Sequence, residues 1–187
     1  MSIKDIKHPD LSKSCILVID MQEYFRGIAS AIIPNLQKLL GTLREKSVPI
    51  IYTQHGHEDP ALDGGMLGKW WEDHILKDTE EWKLLPELSP NDGELVVHKK
   101  RYSAFLNTNL EEHLRKSSID TIIISGVMTN LCCETNARDA FNRDFRIFFL
   151  SDGTATSSAD FHEATLKNIE FGFGTVIKCD EVLQQNP

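Results

Sequence analysis

The sequence predicts an α/β fold, a three-layer sandwich in which a mainly parallel, doubly wound central sheet lies between two layers of helices. Three observations carry this. Six short runs rich in Val and Ile punctuate the chain: "CILVID" (15–20), "PIIYTQ" (49–54), "ELVVH" (94–98), "TIIISG" (121–126), "RIFFLS" (146–151) and "GTVIKC" (174–179). Their apolarity is continuous rather than alternating, which marks strands covered on both faces, as in a parallel sheet. Helical patterns separate them, and strands alternating with helices build right-handed βαβ crossovers. At 187 residues the chain fits one domain over 1–187, long enough to bury a core without staples.

Taken in order, the first run ends on Asp20, and after it Ile32, Ile33, Leu36, Leu39, Leu40 and Leu43 recur at helical spacing. The second run opens onto residues 55–93, which carry Gly, Pro, the paired Trp70 and Trp71 and many acids. A connection of that length is uncommon unless functional, so it is expected to be a partly helical cover over an active site rather than a surface excursion without a role. After the third run, "TNLEEHLRK" opens with a Thr108-x-x-Glu111 capping box. The fourth leads into a helix over 131–142. Between the fifth and sixth, "DFHEATLKNIEFG" is a helix with Asp160-x-x-Glu163 at its start and Gly172 at its end.

Composition narrows the function classes. Hydrophobic residues make up 41% and charged residues 26% of the chain, ordinary for a globular protein. The net charge is −8, and the only basic run is "HKKR" at 98–101, which disfavours a nucleic-acid or anionic-membrane partner. The polar start "MSIKDIKHPDLSKS" lacks the apolar core of a signal peptide, and no apolar run approaches the roughly 20 residues that span a bilayer. A cytoplasmic location is the expectation. The four cysteines, at 15, 132, 133 and 179, include no C-x-x-C pair, which argues against a disulfide framework and a structural zinc site.

In open parallel sheets ligands bind beyond the carboxyl ends of the strands. Asp20 ends the first strand, Lys99 follows the third and Cys132 opens the helix after the fourth. Singly, Asp20 reads as a turn cap and Lys99 as a solvated side chain. Together an acid, a base and a thiol are the parts of a nucleophilic site. Helical geometry separates the adjacent cysteines. Cys133 shares a face with Ala137, Ala140 and Phe141, an apolar stripe for the core. Cys132, turned about 100° away, shares its face with Thr135, Asn136 and Asp139. In the first helical turn its thiolate is expected to be stabilised by free N–H groups and the helix dipole, with Lys99 lowering the thiol pKa further and Asp20 taking the proton.

The stretches "LVIDMQEYF", "KKRYSAFLNTNLEEHL" and "ISGVMTNLCCETNARDAF…SDGTAT" resemble, in this order, the motifs of the isochorismatase-like cysteine hydrolase superfamily, which includes nicotinamidases, N-carbamoylsarcosine amidases and isochorismatases. The resemblance runs from roughly residue 14 to 178. It implies a Rossmann-like α/β sandwich and catalytic roles for Asp20, Lys99 and Cys132. The family nucleophile lies six residues after the Gly of "GVMTNLC", at Cys132, and Cys133 falls where a core Val or Ile is usual. The pattern K-x-R-Y-S-A-F assigns the lysine role to Lys99 and leaves Lys100 in a variable slot. The resemblance further implies a non-proline cis peptide at Val127–Met128, an oxyanion hole from the N–H groups of Met128 and Cys132, and a homo-oligomer, dimer or tetramer, whose neighbouring subunit helps close the site.

For the reaction, the resemblance implies two chemistries. The family's amidases use the cysteine, whereas the enzymes that cleave the vinyl ether of isochorismate need no nucleophile and carry glycine there. Cys132 therefore favours hydrolysis of a C–N bond of a small amide through an acyl-enzyme. Against this, "RYSAF", "DAFNRD" and the Trp-containing segment look closer to the isochorismatase branch, so vinyl-ether hydrolysis with Asp20 as acid is the alternative. A non-enzymatic ligand-binding or thiol-sensing protein is the third. Nicotinamidases also bind a metal through an Asp-x-His; here "YTQHGHED" has Thr53 at the aspartate position. His55 and His57 at i, i+2 are a weak metal signal, so neither metal nor cofactor is expected. Substrate-binding residues are expected to be Phe25, His55 and Tyr102, with Trp70 (and its neighbour Trp71) as an aromatic wall.

Overall fold

The computed structural model describes residues 5–184. The apolar runs form β1(Ser14–Ile19), β2(Ile50–His55), β3(Leu95–Lys99), β4(Thr121–Val127), β5(Arg146–Ala155) and β6(Thr175–Ile177). They make one sheet in the order β3-β2-β1-β4-β5-β6, and every neighbouring pair is parallel. The helices are α1(Arg26–Ala29), α2(Ile33–Glu45), α3(Pro60–Asp63), α4(Gly65–Trp70), α5(Leu110–Lys116), α6(Glu134–Phe141) and α7(Ala159–Gly172). None of the described helices is long and apolar enough to cross a membrane.

Because successive strand residues point to opposite faces, the continuous apolar runs feed two cores. Ile16, Val18, Ile50, Tyr52, Ile123, Phe148 and Leu150 pack with Leu36, Leu39, Leu40 and Leu43 of α2 on one face. Cys15, Leu17, Ile19, Ile51, Ile122, Ile124, Ile147 and Phe149 pack with residues of α5, α6 and α7 on the other. This is the three-layer, doubly wound sandwich that strand composition predicts.

Strand order reverses between β1 and β4, the switch point at which open α/β sheets hold ligands. Two backbone features shape it. Asp20, just past β1, has φ 49°, a left-handed conformation that aspartate tolerates better than most residues. Gly126 has φ +105°, and a Cβ there would stand 2.1 Å from the carbonyl oxygen of Ile19. Only glycine lets the end of β4 press against the end of β1.

Helix ends depart from the expected signals. No capping box forms at Thr108: α5 starts at Leu110 with Asn109 at its cap, and the Thr108 hydroxyl instead donates to the Ala104 carbonyl and accepts from Leu110 N–H at 3.2 Å. Ser158 occupies the cap of α7 without a side-chain hydrogen bond, so Asp160 lies inside the first turn, and Gly172 is still helical. The glycine that the exit from α7 demands is Gly174, where a Cβ would meet the Ile147 carbonyl oxygen at 2.7 Å. The helix expected over 131–142 is a π turn, Thr129–Cys133, continuous with α6.

Candidate active site

The three expected residues meet at the carboxyl ends of β1, β3 and β4. Asp20 leaves β1 beside Thr53 of β2, whose hydroxyl donates to Asp20 Oδ1 at 2.6 Å. Lys99 is the last residue of β3, in register with His55 of β2. Its ammonium lies 2.7 Å from Asp20 Oδ2, 3.4 Å from Cys132 Sγ and 3.0 Å from the carbonyl oxygen of Arg101. Three acceptors thus surround the three N–H bonds of a side chain with no solvent exposure. Lys100, the first residue past the strand, is exposed and pairs with Asp63 at 2.7 Å.

Cys132 sits in the π turn after the cis peptide Val127–Met128. Leu131 and Cys133 N–H groups donate to the Met128 carbonyl, at 3.0 and 3.2 Å. Cys133 is fully buried among Ala137 and Ala140, with its sulfur 3.9 Å from the Ser125 carbonyl oxygen. Phe141, expected on the same stripe, is half exposed and packs edge-on against Phe173.

Electrostatics correct the expectation of an activated resting thiolate. Burial pushes the Cys132 thiol up to about 12; the Lys99 charge pulls it down, and the Asp20 carboxylate pushes it up again. Burial opposes the charge on Lys99, but Asp20 and Cys132 outweigh it and the ammonium is held above its ordinary range. The resting site is therefore an ammonium–carboxylate pair beside a neutral thiol. The main reason is burial, which sequence spacing does not weigh, and the carboxylate placed to accept the thiol proton adds to it by opposing a second negative charge.

A cavity of about 350 Å³ opens over Cys132, within the range of small-molecule sites. Phe25, His55 and Tyr102 line it, together with Met128 and Leu131. Trp71 lines it as well, whereas Trp70 does not and is 76% exposed. The two part because Trp70 is the last residue of α4 and Trp71 leaves it in an extended conformation, so their side chains diverge. Residues of the 55–93 segment, among them Leu67, Asp73 and Ile75, form one wall. Two hydrogen bonds cross the mouth: Trp71 Nε1 to the Tyr102 hydroxyl at 2.7 Å, and the Tyr24 hydroxyl to Asp73 Oδ2 at 2.9 Å.

Several supporting residues carry no sequence signal of their own. Asn136 is buried and accepts from Ala104 N–H at 2.8 Å while donating to the carbonyls of Tyr102 and Cys132, at 3.0 and 2.7 Å. Gln22 bonds both backbone groups of His55 and the Trp82 carbonyl, fixing the start of the 55–93 segment. Buried Thr129 shares a hydrogen bond with His162 of α7 at 3.0 Å. Threonine at 53 leaves no carboxylate where the resemblance would need one for a metal. Among the described residues, no group of three or more His, Cys, Asp or Glu side chains is arranged to hold a metal ion.

Residues 14–181 match the model of the isochorismatase domain family. The chain is 42% identical to nicotinamidase 3 of Arabidopsis thaliana over 94% of its own length and 90% of that protein's. It is 32% identical to the isochorismatase of Bacillus subtilis over 95% of its length, spanning 59% of that relative. Among solved structures, a cysteine hydrolase from Pseudomonas syringae pv. phaseolicola superposes with a TM-score of 0.88 at 29% identity, with 93% of this chain and 92% of that one covered.

Proposed function

The chain belongs to the isochorismatase family of hydrolases, and from that premise we propose that it hydrolyses a C–N bond of a small amide through a thioester on Cys132. The observation that carries this reading is the Lys99 ammonium lying between the Asp20 carboxylate and the Cys132 sulfur. With substrate over the thiol, Asp20 takes the S–H proton as sulfur attacks the carbonyl carbon. Lys99 holds the adjacent charges throughout, and the N–H groups of Met128 and Cys132 serve as the oxyanion hole. Asp20 then returns the proton to the leaving nitrogen as the C–N bond breaks, and ammonia or an amine departs. Water, deprotonated by Asp20, attacks the thioester and releases the acid and the thiol.

The 55–93 segment is the cover of this site, and Phe25, His55, Tyr102 and Trp71 contact the substrate. Among the described lining residues none is Lys or Arg, which favours an uncharged amide over a dicarboxylate such as isochorismate. A thiol held near 12 also argues against an oxidation sensor, which needs a low-pKa cysteine. The setting for this reading is a cytoplasmic homo-oligomer acting on a diffusible small molecule.

The test is ammonia release by the wild-type protein, Cys132→Ala and Cys133→Ala over a panel of primary amides including nicotinamide and N-carbamoyl compounds. Turnover is expected in the wild type and largely kept in Cys133→Ala, but lost in Cys132→Ala. Turnover surviving in Cys132→Ala, or release of pyruvate from isochorismate by that variant, would overturn the thioester mechanism.

A further inference from the structure

The cavity is lined by a further histidine, His57, to which the reaction assigns no role. His57 is 1% exposed, lines the same cavity as Cys132, and its Nε2 has no hydrogen-bond partner. Its Nδ1 lies 2.9 Å from Asp63 Oδ1. Asp63 is fixed in turn: its Oδ2 accepts from Glu58 N–H at 3.1 Å and pairs with Lys100 at 2.7 Å, while its carbonyl accepts from Arg101 at 2.9 Å.

Those contacts decide which nitrogen carries the proton. Burial disfavours the Asp63 charge, but Lys100, the Glu58 N–H and His57 outweigh it and hold the carboxyl down to about 2. A carboxylate only accepts hydrogen bonds, so His57 Nδ1 is the donor. Burial also lowers the His57 pKa against the pull of Asp63, keeping the ring neutral. Nε2 is therefore a lone pair, buried and unanswered, on a residue that lines a cavity shaped for a small ligand. Such groups are rare unless something supplies the missing bond. His55 and His74 flank it, with ring centroids 5.1 and 6.2 Å from that of His57, and each also has an unpartnered buried Nδ1.

We propose that His57, oriented by Asp63, is a specificity-determining residue whose Nε2 accepts a hydrogen bond from an N–H or O–H group that an uncharged, planar substrate carries away from its scissile carbonyl. This deepens the amide-hydrolase reading and rests on it for the identity of the carbonyl. The aromatic wall of Phe25, Trp71 and Tyr102 fits the flat body of such a molecule, and the absence of Lys and Arg among the described lining residues fits its neutrality. A site built to hydrogen-bond a substrate group discriminates strongly against analogues that lack it, because the protein's own buried partner is then left unpaired.

The experiment uses Cys132→Ala protein, which binds without turnover, and calorimetric titration with benzamide, nicotinamide, 3-hydroxybenzamide and 4-hydroxybenzamide. The six-membered rings are alike and differ in bearing nothing, an acceptor only, or a hydroxyl that can donate as well as accept. One hydroxy isomer is expected to bind about tenfold or more tighter than benzamide, with nicotinamide no tighter than benzamide. Adding His57→Leu should bring the hydroxy isomer within about threefold of benzamide, while His57→Gln, which keeps an acceptor, should retain part of the preference. Thermal melts of each variant separate this from unfolding.

Equal affinity across the four, no binding by any, a preference for nicotinamide, or a donor preference unchanged by His57→Leu would each overturn the proposal. Ammonia release by wild-type protein on the same four compounds keeps the two readings apart. Donor preference without turnover of any of the four leaves the role of His57 standing and counts against hydrolysis of amides of this kind. Turnover without donor preference does the reverse.

Discussion

Lys99 Nζ stands 2.7 Å from Asp20 Oδ2, and neither side chain has any exposure to solvent. Removing one partner of such a pair leaves an uncompensated buried charge, which costs about 3–5 kcal/mol. Lys99→Met and Asp20→Asn should therefore each lower the unfolding free energy by that order, as well as abolishing turnover. Urea titration of the two single variants and the double variant checks this. The double variant should lose clearly less than the sum, since its second substitution removes a charge already stranded; additive losses would mean the pair does not couple.

The thiol of Cys132, pushed up to about 12 by burial and by Asp20 against the pull of Lys99, should be almost unreactive in the free enzyme. Alkylation of Cys132 by iodoacetamide, followed by site-resolved mass spectrometry, should accelerate about tenfold per pH unit between pH 7 and 10. The rate of amide turnover should not follow that slope, because Asp20 removes the proton within the substrate complex. A plateau in alkylation near neutral pH would reveal a resting thiolate.

The sheet was legible because burial on both faces writes continuous Val and Ile runs, as in Ile122, Ile123 and Ile124, and because strand ends carry polar residues. Asp20, Lys99 and Cys132 stood out by that logic, and Cys133 was separable as core because Ala137 and Ala140 repeat at helical spacing. The protonation state of Cys132 was not legible, since it depends on the balance of burial, Lys99 and Asp20 in three dimensions. Nor was the divergence of Trp70 and Trp71, which hangs on where a short helix ends. Asn136, Gln22 and Thr53 hold the site through bonds to distant backbone or side-chain groups, and an Asn, Gln or Thr in sequence looks the same whether or not it makes them.

His55 should set an acid limit on stability. Burial, and then the nearby Lys99 charge, lower its pKa to about 3, against about 6.5 in the unfolded chain. Between those values the unfolded state binds the proton and the folded state does not, so stability falls as pH falls, by about 1.4 kcal/mol per pH unit. Denaturant midpoints from pH 6.5 down to 4 should show a steeper loss for wild type than for His55→Asn. Parallel curves would mean that His55 protonates in the fold at its ordinary pKa.

Asn136 should prove as sensitive as the reacting residues themselves, though it touches no substrate. Its amide oxygen accepts from Ala104 N–H, and its amide nitrogen donates to the carbonyls of Tyr102 and Cys132. One side chain thus ties the loop after Lys99 to the turn that carries the nucleophile. Asn136→Ala would leave three buried backbone groups without this partner, each such loss costing about 1–3 kcal/mol before relaxation. Asn136→Asp keeps the shape but loses both donated bonds and sets a charge against the two carbonyls. Both variants should melt several degrees lower and lose turnover at temperatures where they remain folded, with the fall in kcat exceeding any rise in KM, because the distance from Lys99 to Cys132 is what they loosen. A variant that melts early but keeps full kcat below its transition would show that the loop and the turn hold their places without Asn136.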